Sequence, residues 1–149
     1  MQLPALCEEG VSLIISPLIA LIHDQVKSLL RNQINAKYLS ADMTKGQVNA
    51  VYSGTQLPSY PPCHYNRAQI HITMPPKTDL AKAQPEAKIV YVTPERIAKS
   101  KKFITVLKKL YANGKLARIV IDEAHCVSQW GHDFRPDYLE LKVFRKVFP

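Results

Sequence analysis

Two neighbouring acids, Asp122 and Glu123, directly follow the apolar run ARIVI at residues 117–121. A short run of this kind reads as a buried strand. In open α/β sheets, ligands sit beyond the carboxyl ends of the strands, so acids placed there face the ligand crevice. The pair suits one chemistry well: the first acid holds a divalent cation, and the second orients and deprotonates a water. The competing reading is an acidic turn that caps the next helix. Ala124 and His125 extend the pair to Asp-Glu-Ala-His, which favours the site, with His125 placed to register what the acids hold.

The segment after the acids carries a second kind of chemistry. Residues 126–136 read CVSQWGHDFRP, with no helical or strand periodicity and with aromatics mixed among His, Asp and Arg. Such a stretch reads as a loop. Ring faces at Trp130 and Phe134 stack on bases without sequence preference, and Arg135 pairs with phosphate. Core packing is the alternative for the two rings.

Elements that position these groups alternate along the chain. Val11–Ser16 reads as a buried strand, and Ser16-Pro17 as a helix start with serine as cap and proline in the first turn. Apolar residues then recur at helical spacing over 17–32. Residues 36–39 fit a second short strand. Thr44 and Gln47 resemble a capping box opening a helix that ends near Gly54. Lys88–Val92 is a strand, Thr93-Pro94 repeats the cap-then-proline start, Phe103–Ala112 is a helix, and a final helix covers Pro136–Val147. Apolar strands alternating with helices predict an α/β fold with an open parallel sheet. The free amides of the two helix starts, at Ser16-Pro17 and Thr93, suit phosphate. Glu95 and Arg96 read equally well as a surface pair.

Residues 57–86 differ in character. They hold six of the eleven prolines and no periodicity, and a segment of this length is unusual inside a compact domain. The stretch SYPPCHYNRAQIHITMPPKT looks foreign to its surroundings, and 57–86 reads as an irregular or disordered surface insertion. Cys63, His64 and His71 match no strong zinc spacing.

Composition narrows the setting. At 46% hydrophobic and 21% charged over 149 residues, the chain has the makings of one domain. No apolar run approaches the ~18 to 20 residues that span a bilayer, and the first fifteen residues, with two acids and no base, do not resemble a secretory leader. Three widely spaced cysteines, Cys7, Cys63 and Cys126, argue for reduced thiols in an intracellular protein rather than a disulfide framework. The net charge of +8 is uneven: residues 87–149 carry thirteen bases against six acids, and no acid occurs from Ile97 to Ile121. Such a basic stretch favours polyanions, with a merely solvated helix face as the alternative.

The string DEAHCVSQWGHDFRPDY at 122–138 resembles motif II and the adjoining aromatic-rich loop of RecQ helicases. In the same order along the chain, VSLIISPLIALIHDQV resembles that family's motif Ia, IVYVTPERI its motif Ib region, and the opening QLPA the end of the helix after its phosphate loop. The resemblance covers nearly all of 1–56 and 87–149, with a Bloom-type flavour. It implies part of the first RecA-like motor domain of an ATP-dependent DNA helicase. The activity it implies is 3′-to-5′ unwinding in recombination and repair, driven by ATP and Mg²⁺, in the nucleus and away from membranes. Carried over, Asp122 would bind Mg²⁺, Glu123 would be the catalytic base, and His125 would couple to the aromatic loop. Gln129, Trp130, Phe134 and Arg135 would meet single-stranded DNA and unwinding junctions, and Ser16, Pro17, Gln25, Thr93 and Arg96 would meet its backbone.

Two departures temper this. Such a motor needs a loop of the form GxxxxGK[ST]. The single Gly-Lys pair here, Gly114-Lys115, is followed by leucine. The expected fold is therefore an incomplete RecA-like sheet lacking the phosphate-loop strand, the loop itself and the second motor domain, and inactive alone. A non-catalytic nucleic-acid-binding or partner-binding fragment is the alternative. The insertion at 57–86 is the other departure.

Overall fold

A computed structural model describes residues 2–53, 80, 87–128 and 133–148. Four parallel strands form one sheet in the order β2-β3-β1-β4. They are β1 (Val11–Ile15), β2 (Ala36–Leu39), β3 (Ile89–Val92) and β4 (Leu116–Ile121). The helices are α1 (Gln2–Cys7), α2 (Ile19–Arg31), α3 (Lys45–Ser53), α4 (Pro94–Lys99), α5 (Lys101–Ala112), α6 (Pro136–Leu139) and α7 (Lys142–Val147). The expected parallel α/β sheet is present.

Residue alternation divides the core in two. Ile14, Ile89, Tyr91, Ala36 and Tyr38 face one side, under Ala5 of α1 and Ile22, Val26 and Leu29 of α2. Val11, Leu13, Ile15, Leu39, Val90 and Val92 face the other, under α3, α4, α5 and the α6–α7 segment. Both faces are covered, which is why β1, β2 and β3 are buried at every position rather than alternating between core and solvent, with Ser12 and Lys37 the polar residues among them. The handedness follows as well. The step β1 to β2 runs one way across the sheet with α2 on one face. The steps β2 to β3 and β3 to β4 run the other way with their helices on the opposite face, as right-handed crossovers require.

Several local expectations need correction. Ser16 does not cap a helix: its amide still donates to the Val92 carbonyl (3.1 Å), so the sheet ladder continues through it. The helix begins only at Ile19, with Leu18 in the cap position and no side-chain cap. Thr93 does precede a helix with proline in its first turn, but its side chain makes no cap bond. The predicted last helix is two short ones. Tyr138, Leu141 and Phe144 are all buried at a spacing of three, and a period of three is the tighter 3₁₀ winding, so the chain tightens between α6 and α7 to keep them on the core. β4 is not fully buried either. It is only partly covered along its length, and Ile121 is 41% exposed, because β4 is the edge of the sheet. Within the segment read as a surface insertion, Leu80 is described and belongs to the core; the other residues of 57–86 lie outside the described residues.

The capping box is as expected. The Thr44 amide donates to Gln47 Oε1 (2.8 Å) and the Gln47 amide donates to Thr44 Oγ1 (3.3 Å). Among the described residues, no helix is long and apolar enough to cross a membrane.

Candidate functional site

The carboxyl ends of β1, β3 and β4 lie side by side, and each ends on a polar residue: Ser16, Thr93 and Asp122. Asp122 is fixed at both backbone ends. Its amide donates to the Ile15 carbonyl (2.8 Å), and its carbonyl accepts the Tyr138 hydroxyl (3.0 Å). Its side-chain Oδ1 accepts the Glu123 amide (3.0 Å). That leaves the second carboxylate oxygen outside these bonds.

Glu123 adopts a left-handed backbone (φ 51°, ψ 43°). For a side-chain-bearing residue this costs on the order of 1 kcal/mol and persists only where the surroundings impose it. Here the bonds around Asp122 on one side and a single 3₁₀ turn (Ala124–Val127) on the other impose it. The turn makes the chain reverse sharply, so successive side chains diverge. Cys126 goes into the core, 3% exposed, whereas His125 stays at the surface. Cys126 and His125 therefore do not form a cysteine–histidine hydrolase pair. His125 Nδ1 instead lies 3.2 Å from Glu123 Oε2.

The segment after the turn folds back onto the same end of the sheet. The Arg135 amide donates to the Cys126 carbonyl (3.0 Å), and its guanidinium lies 3.5 Å from Glu95 Oε1 on α4. The partner of Glu95 is therefore Arg135 rather than Arg96. Phe134 is half-buried beside them. Gln129 and Trp130 lie outside the described residues. Tyr138 is buried, and burial, followed by the negative charges that Cys126 and Asp122 can carry, pushes its phenol well above the ordinary range near 10.

Three buried polar atoms near this edge have no hydrogen-bond partner among the described residues: Ser16 Oγ, Thr93 Oγ1 and Arg96 Nε. Orphaned buried polar groups are uncommon and point to strain, an unseen water or a ligand. Pro17 is buried next to Ser16. Gln25 sits apart from this group. It lies on α2 against α1, where Gln2 bonds to it and also donates to the Tyr91 hydroxyl (3.0 Å).

The structure brings the acids, Ser16, Thr93 and Arg135 to one edge, and sequence reasoning missed two residues that hold them. Glu95 was visible only as half of a local pair. Tyr138 stood in the quoted string, but nothing in its spacing says which carbonyl sixteen residues earlier it reaches.

This parallel sheet, with its Asp-Glu-Ala-His string at a strand end, can be compared with known proteins. A family model described as DEAD/DEAH box helicase matches residues 1–147; the chain belongs to that family. Its relatives carry RecQ-type names. It is 42% identical to "RecQ-like DNA helicase BLM" of Xenopus laevis, 39% to "ATP-dependent DNA helicase Q1" of Rattus norvegicus and 40% to "ATP-dependent helicase SGS1" of Saccharomyces cerevisiae, each match covering 99% of this chain. The resemblance read from DEAHCVSQWGHDFRPDY is thus borne out. The chain spans 20% of the length of the rat protein and 9% of the other two.

Proposed function

We propose that this chain supplies the acid half of an ATP site, and part of a DNA track, to an ATP-dependent helicase. In this reading the helicase moves 3′ to 5′ in nuclear recombination and repair. The observation that carries the reading is the placement of Asp122 and Glu123 on the strand-end edge, with the Arg135–Tyr138 segment folded back against them. Asp122 fits a magnesium ion. It has an oxygen outside its internal bonds, and among the described residues no three-ligand protein cage exists. Mg²⁺ takes a few carboxylates and completes its octahedron with phosphate oxygens and water. When bound, the ion would neutralise charge on the transferring phosphoryl group. Glu123, partly exposed beside Asp122, would then hold and deprotonate the attacking water. His125, whose ring lies beside the Glu123 carboxylate, would couple Glu123 to the segment carrying Gln129, Trp130, Phe134 and Arg135. Those four, with Gln25 and Arg96, would meet single-stranded DNA at the unwinding junction. The unpartnered hydroxyls of Ser16 and Thr93, beside Pro17, would take its phosphates.

No GxxxxGK[ST] string occurs in the 149 residues, so ATP has no phosphate cradle here, and the chain alone should show no DNA-stimulated hydrolysis. This same feature favours a second reading, a fragment that binds nucleic acid without turnover. A chimera decides between them. Residues 1–149 replace the corresponding segment of the rat relative, and ATP hydrolysis and duplex unwinding are measured. The motor reading requires DNA-stimulated turnover that falls by about 10²-fold or more in Glu123→Gln. A folded chimera that binds DNA but never turns over would leave only the second reading.

A further inference from the structure

A lysine-rich, acid-free stretch of the chain includes a helix that takes no part in the strand-end site. From Ile97 to Ile121 there is no acid, and the longest element in that stretch is α5. Phe103, Val106, Leu107 and Leu110 fix its inner face on the sheet. Lys101, Lys108 and Lys109 are on its exposed side. α7 packs on the same sheet face through Phe144, and meets the end of α5 where Tyr111 and Phe148 contact edge to face (5.3 Å between centroids). Its Lys142, Arg145 and Lys146 are likewise exposed. Among the described residues none of these six forms an ion pair. Lys102 differs, since its ammonium bonds to Asn49 (3.3 Å) and lies over the Tyr52 ring. The acids of the last segment, Asp137 and Glu140, precede α7 and pair with none of the six.

Unpaired cations on two adjoining helices are held there by packing underneath, while their charges repel one another. We propose that the outer surface of α5 and α7 docks the phosphate backbone of duplex DNA, at a place distinct from the strand-end site. Three features choose this occupant. α5 leads from the carboxyl edge of the sheet to the opposite edge, about 18 Å for its twelve residues. Along that length a duplex presents about ten phosphates. The cations lie on two helices in contact, and a duplex offers two phosphate rows where a single strand offers one. A single-strand platform also needs a series of exposed rings, and Tyr111 is the large exposed aromatic here. A membrane-surface helix needs bulky apolar residues beside its lysines, and the exposed side of α5 has Thr105 in that place. The surface carries no base-reading geometry, so binding should be independent of sequence.

The test is fluorescence anisotropy of a labelled blunt duplex about two helical turns long, titrated between roughly 50 and 200 mM salt. The chain is compared with the triple variant Lys108→Gln/Lys109→Gln/Lys146→Gln, and with a charge-matched control, Lys27→Gln/Arg31→Gln/Lys45→Gln. Each lost phosphate contact removes about 0.9 from the slope of log affinity against log salt. The α5–α7 triple should therefore flatten it by about 2 to 3 and weaken binding at least about tenfold at the lower salt, while the control changes little. The same triple placed in the chimera should lose duplex affinity and keep its ATP turnover, which separates this surface from the motor reading. An unchanged slope in the α5–α7 triple overturns the proposal. So does an equal loss in the control, which would mean net charge alone, and so does capture by phosphatidylserine vesicles without duplex binding.

Discussion

At the scale of single residues, the site depends on groups that do not perform its chemistry. Tyr138 is the clearest case, because its hydroxyl fixes the Asp122 carbonyl from inside the core. Tyr138→Phe keeps the ring and removes that donor. The cost should be about 1 kcal/mol, rising towards 3 if the carbonyl is left unsatisfied, and a urea midpoint measures it. Tyr138 also gives a pH dependence whose sign is fixed. Its phenol is raised in the fold, so below pH 10 both folded and unfolded chains keep it neutral and stability is unaffected. Above about 10 the unfolded chain ionises first, and stability falls as pH rises. Tyr138→Phe should lessen that alkaline loss; equal slopes in the two proteins would remove Tyr138 from its cause. Glu123 presents the opposite trade. Its left-handed backbone suits glycine better than glutamate, so Glu123→Gly should leave the unfolding free energy from urea titration unchanged or raise it by up to about 1 kcal/mol. A clear loss of stability would show that the side chain, not the backbone, holds this turn together.

At the scale of elements, the points where strands and helices join carry the constraints. Gly10 enters β1 with φ +100°, and a Cβ there would meet the Lys115 carbonyl oxygen at 2.7 Å. That carbonyl is the acceptor for the Val11 amide (2.8 Å). Gly10→Ala must therefore pull β1 and β4 apart at their start, and should cost about 1 to 3 kcal/mol. Ser100 caps α5 by accepting the Phe103 amide (3.2 Å), so Ser100→Ala should cost about 1 kcal/mol. Thermal melts of both variants test the pair, and a Gly10→Ala melt matching the parent would contradict the close approach. The elements were legible where one local rule decides them. Apolar runs such as IVYV mark strands, and Thr44 with Gln47 marks a cap. They were misread where a neighbour decides. Ser16-Pro17 has the residues of a helix start, but its amide belongs to the β3 ladder. The α6–α7 break follows from three core positions that helical periodicity alone does not reveal. The candidate site divides the same way: its acids are local in sequence, while the Tyr138 and Glu95 contacts exist only after the sheet brings distant segments together.

At the scale of the whole molecule, the open side of β4 is the dominant fact. β1 occupies one edge of this strand, and among the described residues the other has no partner strand. Leu116 and Ile119 are only partly buried against the core, and Ile121 is 41% exposed. An edge strand that is apolar, six residues long and free of proline offers a template for pairing with another chain. Proteins usually blunt such edges with charge. β4 has one cation, Arg118, and Glu8 occupies it. The 149-residue chain should accordingly melt at modest temperature and associate as its concentration rises. Ile121→Lys places a charge on that edge, next to Asp122 and outside both core clusters. It should reduce association without lowering the unfolding free energy by more than about 0.5 kcal/mol. Light scattering across a concentration series reads the first effect and urea unfolding the second. A chain that stays monomeric at every concentration, melts cooperatively at high temperature and gains nothing from Ile121→Lys would show that the β4 edge is not a liability. The exposure of Ile121 would then need another explanation than an open strand edge.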